Sequence, residues 1–580
     1  MKKRNPFLFL FVVVGLHMLQ AQKKDENIGS EVVNVVKPYT ASISDAFKVK
    51  EVPTLDDEET TKKENITYAI FSFPVASTFT PSKGKAAVVD KSAKEKLFAN
   101  YATLAAGNYG TVNAALYLTH LFESNSYIAT SLRHFSSQGG IKNVLLEDQF
   151  YNTALELTYG KKDKQLSYQI DFGYQSQVYN WYGFQSVVMP LTSSGTFIDD
   201  INEKQKYNTL YLGGSLAFNE GVMNNMEVQF NHFTDAFASS ENQLSLKPSF
   251  GFDFLNEKIK TNVIIDYVKG NFQKDYYDVT AINYGFTNIG FNPSFAIHDK
   301  DLSVNLGATF FYSMSNGSGA NKFFMYPSIT ASLKVVGDLM IAFAGAEGSL
   351  KQNTYRELVD ANNFLSPTLI IAPTDARYDI YAGLKGKLAN SVSYTVKASY
   401  LNEGNKALFT SNTFNSFNAN TEAYTFGNSF GLVYDDVKTV SLFGELKADF
   451  SQNVAFSING TLANYTTKNE QSAWNLPAIK LSSNLRYTIS PKWETGVNVF
   501  YVGQRKDREQ YSFDGLIFMN DEVQLPGYVD LNTHVNYKHS DRLTFFLKGN
   551  NLASQNYQKW LGFPVQGIQV LLGANFKFDF

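Results

Sequence analysis

The sequence contains no cysteine, which excludes a disulfide scaffold, a thiolate metal centre, a cysteine nucleophile and a lipid anchor carried on cysteine. Charge is scarce too: Asp, Glu, Lys and Arg make up 18% of the 580 residues, where an ordinary globular chain carries about a quarter. The signs nearly cancel, 51 basic against 54 acidic, so the net charge is −3 and no basic field exists to attract nucleic acid. Beyond the extreme N-terminus no apolar run approaches the ~20 residues of a membrane helix. What is plentiful is aromatic: 48 Phe, 34 Tyr and 4 Trp, or 15% of the chain. The length exceeds a single compact soluble core. A long, aromatic-rich, charge-poor chain without helical spans suits a β-structure with one face in lipid and one in water.

The N-terminus sets the compartment. Met1-Lys2-Lys3-Arg4 is positive, Pro6 to Leu19 is apolar, and Ala21 offers a small residue for cleavage. Residues 1–21 therefore read as a secretory signal peptide, and the mature chain is expected to be exported. Residues 22–97 read as an extended periplasmic or luminal leader with no folded plug. Glu31 to Val36 is β-prone, 50–65 is a charged stretch with no apolar face, and 66–79 is apolar but interrupted by Pro74, which a central strand does not tolerate.

From about Phe98 one motif repeats to the end: an alternating strand, a turn, another strand. Val440, Leu442, Gly444, Leu446, Ala448 and Phe450 share one face, opposite Ser441, Glu445, Lys447 and Asp449, with Phe443 the exception. Trp493 to Tyr501, Val529 to Tyr537 and Ile568 to Phe580 repeat the pattern. These strands are longer than the ~5–6 residues of soluble sheets and match the ~9–11 needed to cross a bilayer. Tyr159, Tyr174, Tyr312, Trp493, Tyr501 and Tyr537 stand where interfacial girdles belong. Connections alternate between short (161–164, 219–220, 256–258, 451–453, 490–492, 539–541) and long or medium (181–204, 351–377, 467–475, 505–525, 554–566). One, 414–424, is longer than its peers on the short side. The expectation is an all-β fold, a large closed antiparallel transmembrane barrel of about 22–24 strands over residues 98–580. Its lipid face excludes Arg and Lys, which places Lys447, Arg486, Lys538 and Lys577 on the lumen side.

The closing segment, Gly549-Asn550-Asn551-Leu552-Ala553-Ser554-Gln555-Asn556-Tyr557, then Gly567 and a strand ending in Phe580, resembles the C-terminus of TonB-dependent receptors. Val35 to Tyr39, Asn108-Tyr109-Gly110, Arg133 to Ser137, Val433 to Val437 and Lys559-Trp560 resemble a group of Bacteroidota outer-membrane proteins of that type that lack the plug. The resemblance implies the outer membrane of a Gram-negative cell, and transport or ligand binding through long outer loops. The alternative is a structural or assembly platform whose leader docks a partner; passive, porin-like diffusion is a third reading. It implies as partners the membrane lipid, the barrel-assembly machinery and either TonB or another periplasmic or outer-membrane protein. Glu31, Val32, Val33, Val35 and Val36 occupy the place of a Ton box, which works by adding a strand to its partner. Phe576, Phe578 and Phe580 resemble the signal read during barrel assembly.

There is no Gly-rich phosphate loop, no paired-His zinc helix and no G-x-S-x-G elbow. Asp530, Asn532, His534 and Asn536 form a polar ladder that alternation alone explains, and Arg133-His134 reads as a structural polar pair. The chain is expected to be no enzyme and to hold no cofactor or metal. Asn180-Trp181-Tyr182-Gly183-Phe184, in an outer loop, is expected to offer aromatic faces to sugars or peptides.

Overall fold

The computed structural model describes residues 96–579, apart from 123–124, 185–200, 255–256, 318, 415–418 and 514–515. They form β1 (Asn100–Gly107), β2 (Val112–Leu121), β3 (Ser126–Ser137), β4 (Phe150–Lys161), β5 (Leu166–Asn180), β6 (Lys204–Phe218), β7 (Met223–Thr234), β8 (Ser240–Phe254), β9 (Glu257–Phe272), β10 (Ile282–Asp299), β11 (Leu302–Ser315), β12 (Lys322–Val336) and β13 (Met340–Lys351). After a short helix, α1 (Tyr355–Ala361), come β14 (Thr374–Ala389), β15 (Val392–Ser411), β16 (Phe430–Ser451), β17 (Val454–Thr467), β18 (Ile479–Ser490), β19 (Trp493–Val502), β20 (Arg505–Phe513), β21 (Leu516–Leu525), β22 (Tyr528–Lys538), β23 (Leu543–Asn550), β24 (Gln558–Trp560), β25 (Phe563–Pro564) and β26 (Gln569–Phe578).

Twenty-two of these strands make one antiparallel sheet. β20 with β21 and β24 with β25 are separate hairpins set in its loops. The sheet closes on itself where β26 pairs with β1, from Asn100 opposite Phe578 to Gly107 opposite Leu571. Closure is what lipid demands, because a strand edge in hydrocarbon leaves amides with no hydrogen-bond partner. The alternation seen in sequence becomes two surfaces. Leu104, Ile170, Val440 and Leu572 are all more than half exposed on the outer face. On the inner face Arg133 pairs with Glu156, Lys447 lies 2.9 Å from Glu445, and Tyr381 Oη donates to Glu347 at 2.7 Å. Phe443, the exception to the alternation, stands on this inner face directly opposite Lys397. Lys397 itself lies 5.0 Å from the centre of the Tyr381 ring.

The chain enters and leaves at one end, where Ala99 N–H donates to Asp579 at 2.9 Å. That end carries the tight turns, such as Lys300-Asp301 and Gln452-Asn453, and is the periplasmic end by the rule that outer loops are long. In the 219–222 turn Gly221 adopts φ +100°, which a side chain disfavours. Trp493 and Tyr537 meet at this rim with tilted rings, centres 4.7 Å apart. Tyr501 stands eight positions above Trp493 on the same face, about 26 Å along the strand, close to the ~25 Å apolar band of such barrels. Tyr159 and Tyr174 bracket no such band: Tyr174 sits opposite Leu155, only four residues from Tyr159.

One expectation is corrected. The connection near 414–424 lies at the long-loop end, not the short one. β16 runs unbroken for 22 residues and β15 for 20, so both continue well beyond bilayer thickness. The strand number, twenty-two, falls within the expected range.

Candidate functional site: the loop-closed outer mouth

In their described residues the long loops fold over the mouth and pack on one another. α1, which springs from between β13 and β14, lies against the inner wall of β6 to β10. Tyr355, Leu358 and Val359 are its buried face. The Tyr355 ring meets Phe233 and Phe272 edge-on at 5.1 and 4.9 Å, and its hydroxyl donates to Asp235 at 3.0 Å. The N-terminus of α1 is capped twice. Thr354 Oγ1 accepts from Glu357 N–H at 3.1 Å. Glu241 on β8 accepts from Tyr355 N–H at 2.6 Å and Arg356 N–H at 3.1 Å, and from the Tyr284 hydroxyl at 2.8 Å. A carboxylate at the positive end of a helix satisfies amides that helix geometry leaves orphaned. Its burial is tolerated because each oxygen has a donor, and the half-buried Asp235 in the 235–239 loop is bonded in the same way.

Phe563 is the meeting point. Its ring lies 3.9 Å from Phe364, 5.1 Å from Tyr182 and 5.8 Å from Phe430, centre to centre. These residues come from the β23–β26, β13–β14 and β5–β6 loops and the start of β16. Around the ring, β6 to β13 is seven places, β16 to β23 five and β26 to β5 five. Loops rooted that far apart touch only by crossing the opening. Tyr182 Oη donates to Pro564 O at 2.9 Å, and Asn428 Nδ2 to Trp181 O at 3.1 Å, which tie the crossing points together. Each buried aromatic pair adds about 0.5–1.5 kcal/mol beyond the area it buries.

The β20–β21 hairpin closes another sector. Asp507, 0% exposed, accepts from Ser411 N–H at 3.1 Å. Asn475 N–H donates to Lys506 O at 2.8 Å. Arg505 donates through both terminal nitrogens to Lys559 O and Gln558 O at 2.7 Å each. Burial pushes the Asp507 carboxyl up to about 6, against the pull of its hydrogen bonds and of Arg508. Asp435, inside the Val433 to Val437 stretch, fastens the 468–478 loop: its carboxylate accepts from the backbone of Lys468, Asn469 and Glu470, each at 2.9 Å.

Glu31, Val32, Val33, Val35 and Val36 lie outside the described residues, as does Phe580. Phe576 and Phe578 sit on the lipid-facing parity of β26 beside the closing seam, rings 5.8 Å apart. His134 bonds Thr153 and Ser136 and is a structural polar residue. Asp530 takes the Tyr557 hydroxyl at 3.0 Å, and His534 stands 3.9 Å from Glu494. Among the described residues no group of three His, Asp or Glu is placed to hold a metal ion. The aromatic run at 180–184 is corrected: Trp181 is 0% exposed and Phe184 is buried, so they build the cap and present no free stacking face. Glu241, Tyr355 and Phe563 carried no signal in the sequence, because their partners lie far along the chain.

No protein-family model and no curated protein sequence matches the chain. Solved structures do. The ferripyoverdine receptor of the outer membrane of Pseudomonas aeruginosa aligns with a TM-score of 0.59 at 12% identity, over 83% of this chain and 72% of that one. The FrpB iron transporter from Neisseria meningitidis aligns at 0.62 and 11%, over 84% and 82%. The copper transporter OprC aligns at 0.58 and 13%, over 83% and 80%. Likeness at this identity concerns the fold. In architecture the chain is a closed antiparallel β-barrel of twenty-two strands among the described residues, similar in fold to these outer-membrane proteins.

Proposed function

We propose that the protein is an outer-membrane transport or ligand-binding barrel of the TonB-dependent-receptor type, closed at its outer mouth by its own loops. The observation that supports this is the convergence of three loops and β16 on Phe563. A barrel of this width is otherwise a water-filled hole, since 16–18 strands already leave an aqueous channel. In this reading residues 1–21 direct export and residues 22–97 form a plug-less leader, as in the Bacteroidota group the sequence resembles. Glu31 to Val36 would then pair as a strand with an energy-transducing partner.

A second reading is favoured by the same closure: a barrel sealed from outside serves equally as a membrane platform whose leader docks envelope proteins. Affinity capture with residues 22–97 intact separates the two. Recovery of a TonB-like protein, lost on deletion of 31–36, supports import; recovery of assembly factors indifferent to that deletion supports the platform.

A further inference from the structure

Among the described residues one seam of the barrel is left unpaired near its outer end. The β12–β13 ladder climbs from Val336 opposite Met340 to Ser328 opposite Glu347 and stops, although β12 runs on to Lys322 and β13 to Lys351. Each strand stays paired on its other side, β12 with β11 as far as Lys322 and β13 with β14 as far as Lys351. At no other seam among the described residues do both strands continue four or more residues past their last pair. The cause is local. Pro327, the first residue beyond the last pair, has no N–H to give a ladder, and a bulge between Glu347 and Ser349 interrupts the register of β13. The unpaired length lies at the outer edge of the lipid. Phe323 stands opposite Tyr312, of the interfacial girdle, and Met325 opposite Phe310. Phe323 and Met325 face outward, 66% and 68% exposed. On the lumen side Phe311, Tyr326 and Leu350 form a buried cluster, with Phe324 packed against it. Tyr326 bridges the seam: a Cβ on Gly348 would lie 2.9 Å from its Cδ1, and its hydroxyl reaches past β13 to donate to Asp375 of β14 at 2.8 Å.

Lipid gives an unpaired strand edge no hydrogen-bond partner, so this edge is stable only while something covers it. From inside, the cover that spans the seam is one ring tied by one hydrogen bond. We propose that the β12–β13 seam is a lateral door between the lumen and the outer leaflet, bolted by Tyr326, and that it admits the acyl chain of a single-chain amphiphile. The seam opens directly onto a surface already solvated by acyl chains. The side chains on both its faces are apolar or aromatic, which is the lining such a chain needs. The inference rests on the transport or ligand-binding reading and gives it a ligand class.

The test is photolabelling of the full chain in phosphatidylcholine nanodiscs with a palmitate analogue carrying a terminal diazirine, mapped by mass spectrometry. Phe323 and Met325 face lipid and will be labelled in any case, so the inward-facing Phe311, Phe324 and Leu350 report passage through the seam. Phe500, on the lumen face of β19 and far around the ring, reports probe that has entered by the periplasmic opening instead. The expected result is labelling of the three inward residues, displaced by excess palmitate, with little at Phe500. Tyr326→Phe removes only the hydroxyl that holds the bolt and should raise the inward labelling severalfold, the worth of one hydrogen bond. Folded protein is verified for the variant by its heat-modifiable migration on gels. Labelling confined to lipid-facing side chains, equal labelling at Phe500, or no change in Tyr326→Phe overturns the door. If a TonB-like protein is nevertheless captured through residues 31–36, only the door has failed and the transport reading stands.

Discussion

At the level of single residues, the buried ionisable groups of the cap do the most to define it, and Asp507 gives the sharpest consequence. Its carboxyl is raised from the ordinary range to about 6, chiefly by burial. The docked hairpin therefore prefers the neutral acid. The stabilisation this supplies is full below about pH 4 and is lost as the pH rises through about 6. Hydrogen exchange across 503–527 should accordingly quicken between about pH 4 and pH 6.5, beyond the intrinsic base catalysis of exchange, and show no further extra quickening above that. In Asp507→Asn the extra quickening should vanish; its persistence would assign the effect to another group. Little of this was legible in the sequence. Tyr355 finds Glu241 across 114 positions of chain, and nothing in either neighbourhood advertises the pairing. By contrast Lys447, Arg486, Lys538 and Lys577 could be assigned to the lumen at sight. Alternation decides sidedness locally, and lipid punishes every error.

At the level of elements, the strands were readable and the loops were not. A period of two, held over ten or more residues, survives any rearrangement of the partners, so the run from Val440 to Phe450 was plain in the sequence. The 412–429 connection lies at the long-loop end because β15 and β16 continue past the membrane, where no lipid enforces the alternation that fixes sidedness. α1 escaped notice for another reason. Seven residues are too few for a helical period to declare itself, and its stability comes from Glu241 and the β6–β10 wall rather than from its own sequence. The sidedness of β16 makes a quantitative prediction. Leu442→Arg places a charge on the lipid face and should cost ~2–4 kcal/mol if its level is mid-membrane. Ser441→Arg, one residue away and facing the lumen, should cost little. Urea unfolding in liposomes reads the difference directly, and equal losses would contradict the assignment of faces.

At the level of the whole molecule, the barrel solves a problem that its width creates. Twenty-two strands enclose more space than side chains fill, and the outer opening is covered by loops that hold one another through Phe563, Tyr182, Phe364 and Tyr355. None of these contacts joins neighbouring strands; each spans four or more places around the ring. The cap should thus behave as a cooperative unit, weakened as a whole when its meeting point is removed. Planar-bilayer recording of the purified full chain measures this. The wild type should show no large, steady conductance, while deletion of 352–373, or the milder pair Tyr355→Ala with Phe563→Ala, should open one. A wild-type barrel that conducts freely, or a folded loop-deleted barrel that stays shut, would contradict a mouth closed by its own loops.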